Sequence, residues 1–316
     1  VQNPALDLSI DWDQESQICR EQIGVARFPK AALSRRKTLA LAGACSVIAL
    51  AQAGRAQTEL RFGLTPVFLT NDLELLTKLK AYLSRKTGKE VQLVRRRTYE
   101  EITNLLLSGE LTAAWICGYP LVQYPDELAL VAVPLWDGKP LYRSYLITTP
   151  DRQASDIDDL QGDIHAFSDP NSNSGFLVTA ALLAGRGLRP EQFFRRTFYT
   201  YGHRNVIRAV ASGLAQSGSV DGYVWDVVTA LEPKLHAKTK VIRRSELLGF
   251  PPVACPSKKV GDEDVIALKQ ALISMSDDKE GREVLRILRL DGFADEPASL
   301  FDPIAAKMRL VRSLNT

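Results

Sequence analysis

The densest group of chemically useful side chains in the chain is the run Phe167-Ser168-Asp169-Pro170-Asn171-Ser172-Asn173-Ser174-Gly175. It leaves a strand-like apolar segment, carries four side chains that can cap, and opens directly into a helical period. A helix start has free N–H groups and the positive end of the helix dipole. Set beyond a strand end, these face a cleft, and an anion or a neutral acid rich in oxygens is the natural occupant. An ordinary N-cap needs only one Ser or Asn, so binding and simple capping both remain open on local grounds.

Three further positions carry chemistry. Cys117 follows a short apolar strand and precedes Gly118-Tyr119-Pro120, where its thiol is expected to face a cleft. A thiol selects a soft centre and contributes little to holding phosphate. A packed structural thiol, or a disulfide with Cys255, the other cysteine after residue 56, is the alternative. His203 follows Gly202 and precedes a helical run, so its ring is expected at a helix start, where burial and the dipole favour the neutral form. Asp221 and Asp226 flank Trp225 on a segment expected to reach the same cleft. A carboxylate there accepts from hydroxyls, or else caps a helix or is solvated.

Catalysis is not expected. The chain has 3 His, no His pair at metal-ligand spacing, no nucleophile elbow and no Gly-rich phosphate loop with Lys. No cofactor is implied.

The elements that position these groups read as an alternation. Residues 60–64 form a strand, 72–87 an amphipathic helix, 90–95 a strand, 99–108 a helix and 113–116 a strand. After a strand over 141–148, the segment 157–160 opens a second series: strand 164–167, helix 175–184, a strand around Phe198, helix 205–212 and strand 220–223. Such βαβα order predicts two α/β units with parallel sheets covered on both faces, connected through 142–149 and 241–245.

Composition sets the bounds. At 316 residues, 45% hydrophobic and 24% charged, the chain can bury one large core or two modest ones. Its +3 formal charge falls towards neutrality once residues 1–56 are set aside. Near-neutrality without a basic run argues against nucleic acid as a partner.

Residues 1–56 read as an N-terminal extension and a secretory signal. Ser34-Arg35-Arg36-Lys37 is basic, residues 39–51 are apolar and small, and Ala51-Gln52-Ala53 or Gly54-Arg55-Ala56 offers a cleavage pattern. The apolar run is too short for a span, which needs about 20 residues. Export to the periplasm by the Sec or the twin-arginine route is expected. Residues 1–33 have no apolar period and are assigned no fold.

The loop over 167–175, then Gly187-Leu188-Arg189-Pro190-Glu191-Gln192-Phe193-Phe194, Gly202-His203-Arg204-Asn205 and Ala209-Val210-Ala211-Ser212-Gly213, resembles the phosphate, phosphite and phosphonate substrate-binding proteins of ABC importers. Order and spacing match over most of residues 58–255. The resemblance implies an α/β chain of the type II periplasmic-binding fold, two α/β lobes joined by a two-strand hinge with the ligand cleft between them. Residues 57–147 and 243–316 would form lobe 1, and 148–242 lobe 2. It carries oxyanion contacts to Ser172, Asn173, Ser174, Gly175 and His203, and a tyrosine role to Tyr99, with Thr65, Gly118, Tyr119 and Asp221 as further cleft candidates.

The chain departs from that family at Cys117. Trp115-Ile116-Cys117-Gly118-Tyr119 in such a cleft looks like the arsenite-sensing group of periplasmic binding proteins, the AioX type. There a single cysteine binds trivalent arsenic and the protein signals to the periplasmic domain of a membrane sensor histidine kinase. Arsenite at neutral pH is an uncharged trihydroxide, which calls for hydrogen-bond partners and a sulfur rather than a cationic clamp. The expectation is therefore a monomeric, non-enzymatic solute-binding protein that captures arsenite through Cys117. The alternative is an ABC-importer component delivering phosphate, phosphite or phosphonate to a permease.

Overall fold

The computed structural model describes residues 59–66 and 73–314. The signal and extension expected over residues 1–56 lie outside the described residues. In chain order the first half runs β1 (Leu60–Leu64), α1 (Leu73–Thr87), β2 (Val91–Arg95), α2 (Tyr99–Leu107), β3 (Ala113–Trp115), α3 (Gly118–Gln123) and β4 (Leu128–Leu135). Next come β5 (Leu141–Tyr142), β6 (Ser144–Thr148) and β7 (Ile164–Phe167). A π-helical turn, Asn173–Leu177, runs into α4 (Val178–Ala184), followed by α5 (Pro190–Phe193), β8 (Arg196–Tyr199), α6 (His203–Ala211), β9 (Ser217–Asp221), α7 (Gly222–Leu231) and α8 (Pro233–His236). The last part holds β10 (Lys240–Arg244), β11 (Leu248–Gly249), β12 (Val253–Pro256), α9 (Glu263–Ile273), α10 (Lys279–Leu288), β13 (Gly292–Ala294) and α11 (Asp302–Ser313).

Two sheets carry the lobes. One has the order β13-β4-β12-β3-β1-β2, the other β10-β6-β9-β7-β8. Each has a parallel heart, with β1 between β2 and β3, and β7 between β8 and β9. The flanks are antiparallel: β12 and β13 pair with β4, and β6 lies between β9 and β10. The all-parallel expectation is thus corrected to mixed sheets. The chain returns from one lobe to the other twice, and each return lays down antiparallel strands.

The helices cover the sheets with the faces their apolar spacing dictates. On α1, Leu75, Leu79, Tyr82 and Leu83 are buried, the i, i+4, i+7, i+8 stripe of a core-facing helix. Tyr82 turns its hydroxyl to the Ala271 carbonyl on α9 at 2.6 Å, which satisfies its polar end within the core. All five residues of β6 and of β9 are buried, as expected of strands covered on both faces.

The crossing between lobes is narrower than the sequence suggested. Segments 142–149 and 241–245 mostly belong to the second sheet as β6 and β10, and the two strands shared by neither sheet are β5 and β11. They pair antiparallel, Tyr142 with Leu248 and Leu141 with Gly249. The final helix, α11, packs on α3 of one lobe and on the Asn173–Leu177 turn and α4 of the other. Gly118 makes this possible, because a Cβ there would lie 2.8 Å from Ile304 Cδ1 and 3.0 Å from Phe301 Cδ1.

Candidate functional site

The site is built where α2 and α3 of the first lobe meet the Asn173 turn, α6 and α7 of the second. Thr98 starts α2 with a capping box, accepting from Glu101 N–H while Glu101 accepts from Thr98 N–H. That fixes Tyr99 at the first helical position, fully buried. Its backbone N–H donates across the junction to Asp169 Oδ2 at 3.2 Å, and its hydroxyl lies 3.2 Å from His203 Nε2. Arg97, just before, stacks its guanidinium over the Tyr201 ring at 5.3 Å.

Cys117 is the N-cap of α3 and its side chain caps nothing. Its sulfur instead accepts the backbone N–H of Asn173 from the opposite lobe at 3.1 Å. Burial pushes the thiol up to about 11, against the pull of the Tyr119 and Asn173 N–H groups, so at neutral pH it is protonated. Cys117 and Cys255 are both free thiols, Cys255 lying within β12. This removes the disulfide alternative.

The Asn173 turn is wound as a π-helix, Leu177 N–H bonding to the Ser172 carbonyl, so the helix begins two residues earlier than its apolar period indicated. Such turns are frequent at functional sites. Ser172 caps it, its hydroxyl accepting from Gly175 N–H at 3.0 Å. A Cβ at Gly175 would sit 1.8 Å from Ser168 Oγ, so only glycine lets the turn lie this close to the end of β7. Ser174 donates to Asp221 Oδ2 at 3.4 Å, and its carbonyl receives Ser144 Oγ at 2.6 Å. Asn173 donates from Nδ2 to Tyr142 Oη at 2.8 Å.

His203 stands at the first turn of α6, 2% exposed. Asp221 N–H donates to its Nδ1 at 3.1 Å, which leaves the ring proton on Nε2. Burial pulls it down to about 3, so the ring is neutral. Asp221 caps α7 through Val224 N–H at 3.3 Å, and burial pushes its carboxyl up to about 7. Helix α7 begins at Gly222, so the strand expected over 220–223 ends at Asp221.

The resulting site holds polar groups and two carboxyls but no cation among the described residues. Among the described residues no Lys or Arg is buried, and no group of three or more His, Cys, Asp or Glu could hold a metal ion. Two buried atoms here have no hydrogen-bond partner, Ser168 Oγ and Asn173 Oδ1. Each such atom costs about 1–3 kcal/mol while it has no partner.

Of the residues singled out in sequence, the structure brings together Tyr99, Cys117, Ser172, Asn173, Ser174, Gly175, His203 and Asp221. Thr65, Gly118 and Asp226 point elsewhere, and Tyr119 borders the group. Thr65 is buried, but its hydroxyl donates to the Trp115 carbonyl at 3.0 Å within its own sheet. Gly118 faces α11, and Tyr119 is half-buried against Tyr99 and Cys117. Asp226 bonds Tyr145 Oη at 3.1 Å, away from these groups. Sequence reasoning did not assign Tyr142, Ser168 or Asp169. The last two lay in the quoted loop, while Tyr142 carried no signal beyond its strand.

Residues 62–299 match the family model described as ABC transporter, phosphonate, periplasmic substrate-binding protein. The chain belongs to this family. Similar solved structures include a binding protein component of an ABC phosphonate transporter from Pseudomonas aeruginosa, at TM-score 0.75 and 21% identity over 82% of this chain and 88% of that one. PhnD1 from Prochlorococcus marinus, in complex with methylphosphonate, superimposes at TM-score 0.71 with 18% identity over 82% of this chain and 99% of that one. A Xanthomonas citri protein bound to chloride gives 0.66 and 16% over 81% and 99%. These neighbours establish the type II periplasmic-binding fold. Members of the family bind solutes rather than transform them, and membership implies export to the periplasm.

Proposed function

We propose that the protein closes its two lobes on arsenite and holds it through Cys117. The observation that carries this reading is the Cys117 thiol, protonated at physiological pH, meeting the Asn173 N–H at 3.1 Å between the lobes, with the neutral His203 ring in the same site and no buried cation among the described residues. Arsenic forms a bond to Sγ as one As–OH bond breaks, and the departing hydroxide leaves with the thiol proton as water. Arsenic stays trivalent and no charge is created, which suits a buried site without cations. Tyr99, Ser172, Asn173, Ser174, His203 and Asp221 serve the remaining hydroxyls, with residues 148–242 as the lobe that closes on Cys117. Presentation of the bound state to a membrane sensor kinase is supported by the sequence resemblance alone.

A second reading has its own support. The family match and the methylphosphonate-bound neighbour favour an importer component for phosphate, phosphite or phosphonate, delivered to an ABC permease. The helix start at the Asn173 turn, with its positive dipole end, suits an oxyanion. The comparisons weigh on this side and the thiol on the other.

Calorimetry of the reduced protein against arsenite, phosphate, phosphite and methylphosphonate separates them. Under the arsenite reading, Cys117→Ser abolishes arsenite binding and leaves the fold intact, while Cys255→Ser is silent. Failure of the unmodified protein to bind arsenite, or its retention by Cys117→Ser, rejects that reading in favour of import.

A further inference from the structure

We infer that Asn173 makes the cleft selective for the protonated form of its solute, accepting from an O–H where an O⁻ would be refused. This rests on the reading of the cleft as the solute site and holds for either solute class. Asn173 is fully buried and its donors are committed by neighbours. The backbone N–H goes to Cys117 Sγ and Nδ2 goes to Tyr142 Oη. What remains is Oδ1, buried without a partner. A carbonyl oxygen can only accept. A solute hydroxyl satisfies it, whereas a deprotonated oxygen meets it lone pair to lone pair.

The surrounding titratable groups do not reverse this preference. From α3 comes the Cys117 thiol, protonated at neutral pH; from α2 the Tyr99 phenol, held far above its ordinary value by burial; from α6 the neutral His203 ring. Tyr142 is likewise held well above its ordinary value, and Asp169 is pushed upward by burial. Asp221, on the far side of Ser174, acts in the same direction, because its ionised form repels an anion. Tyr142 is a positioning residue: its hydroxyl on β5 receives Nδ2 at 2.8 Å, and in this arrangement Oδ1 is the end of the amide left for the solute.

The test is the pH profile of binding, measured by calorimetry on the full chain with methylphosphonate, phosphite and arsenite from mildly acidic to mildly basic pH. Methylphosphonate affinity is expected to fall about tenfold per pH unit once its second proton is lost. Arsenite, whose first ionisation lies well above neutrality, is expected to stay level. Tyr142→Phe frees the amide to turn and should flatten the methylphosphonate slope. Asp221→Asn removes the carboxyl that titrates in the same range and should preserve it. A wild-type profile that is flat or rises with pH overturns the inference, as does an unchanged slope in Tyr142→Phe. The wild-type profile decides even where a variant does not fold. No binding of any of the three solutes removes the cleft reading and this inference together, whereas binding with the wrong slope removes the inference alone.

Discussion

His203 and Tyr99 join the two lobes through a hydrogen bond of 3.2 Å whose direction is set from behind. Because Asp221 N–H occupies Nδ1, the ring donates from Nε2 and the Tyr99 oxygen accepts. The phenol proton is thereby left to donate onward. Tyr99→Phe should weaken solute binding about tenfold, the worth of one buried hydrogen bond, with the fold retained. His203→Ala should weaken it further, since the Asp221 N–H then loses its acceptor. Calorimetry reads both, and wild-type affinity in the histidine variant would place that residue in the scaffold.

The two buried histidines should stay neutral well below the ordinary range. His165 lies between the Ser217 and Ser219 hydroxyls at 2.8 Å each and stacks on Phe194, and burial pulls it, like His203, down to about 3. Their folded values lie below the unfolded value of 6.5, so the unfolded chain binds protons first as pH falls. Each therefore contributes stability that is full above 6.5 and is lost between 6.5 and 3, at about 1.4 kcal/mol per pH unit. Asp221 has the opposite sign over 3.8 to 7, its folded value lying above its unfolded one. NMR titration of the imidazole signals checks the histidines directly; protonation of either ring near 6 in the folded protein would contradict the burial argument.

Gly175 should tolerate no side chain. With Ser168 Oγ 1.8 Å from the added Cβ, Gly175→Ala forces the π turn away from β7. The expected cost is about 1–3 kcal/mol of stability together with loss of solute binding. Chemical denaturation and calorimetry on the same variant measure both, and a stable variant with unchanged affinity would show that the turn shifts freely.

Closure itself is open to test. Solution scattering should report a smaller radius of gyration on saturation with solute, as the lobes turn about the β5 and β11 pair. Arg97→Ala removes the guanidinium that lies over Tyr201 in the closed form, and should cost about 0.5–1 kcal/mol of binding. No change of radius at saturation would count against hinge closure.

The strands over 60–64 and 164–167 were legible because each is apolar, short and followed by a helical period, and the loop after 167 announced itself through Ser, Asn and Gly. The antiparallel strands were not. β12 and β13 are short and pair with β4 and β3 across long sequence separations, which no local period encodes. The start of α7 was misread for a related reason: Val220, Tyr223 and Val224 read together as a short apolar segment, while the Asp221 side chain, capping Val224 N–H, marks the end of the strand. Tyr142 could not be singled out because its role depends on an amide in the opposite lobe.

Helix α11 follows every other described element in chain order, yet it rests on both helices whose starts meet at Cys117 and Asn173. Ile304 is fully buried and Lys307 pairs with Glu246 near the crossing strands. One helix thus braces both sides of the Cys117–Asn173 contact from behind, so any displacement of α11 is felt by the two lobes together rather than by one of them.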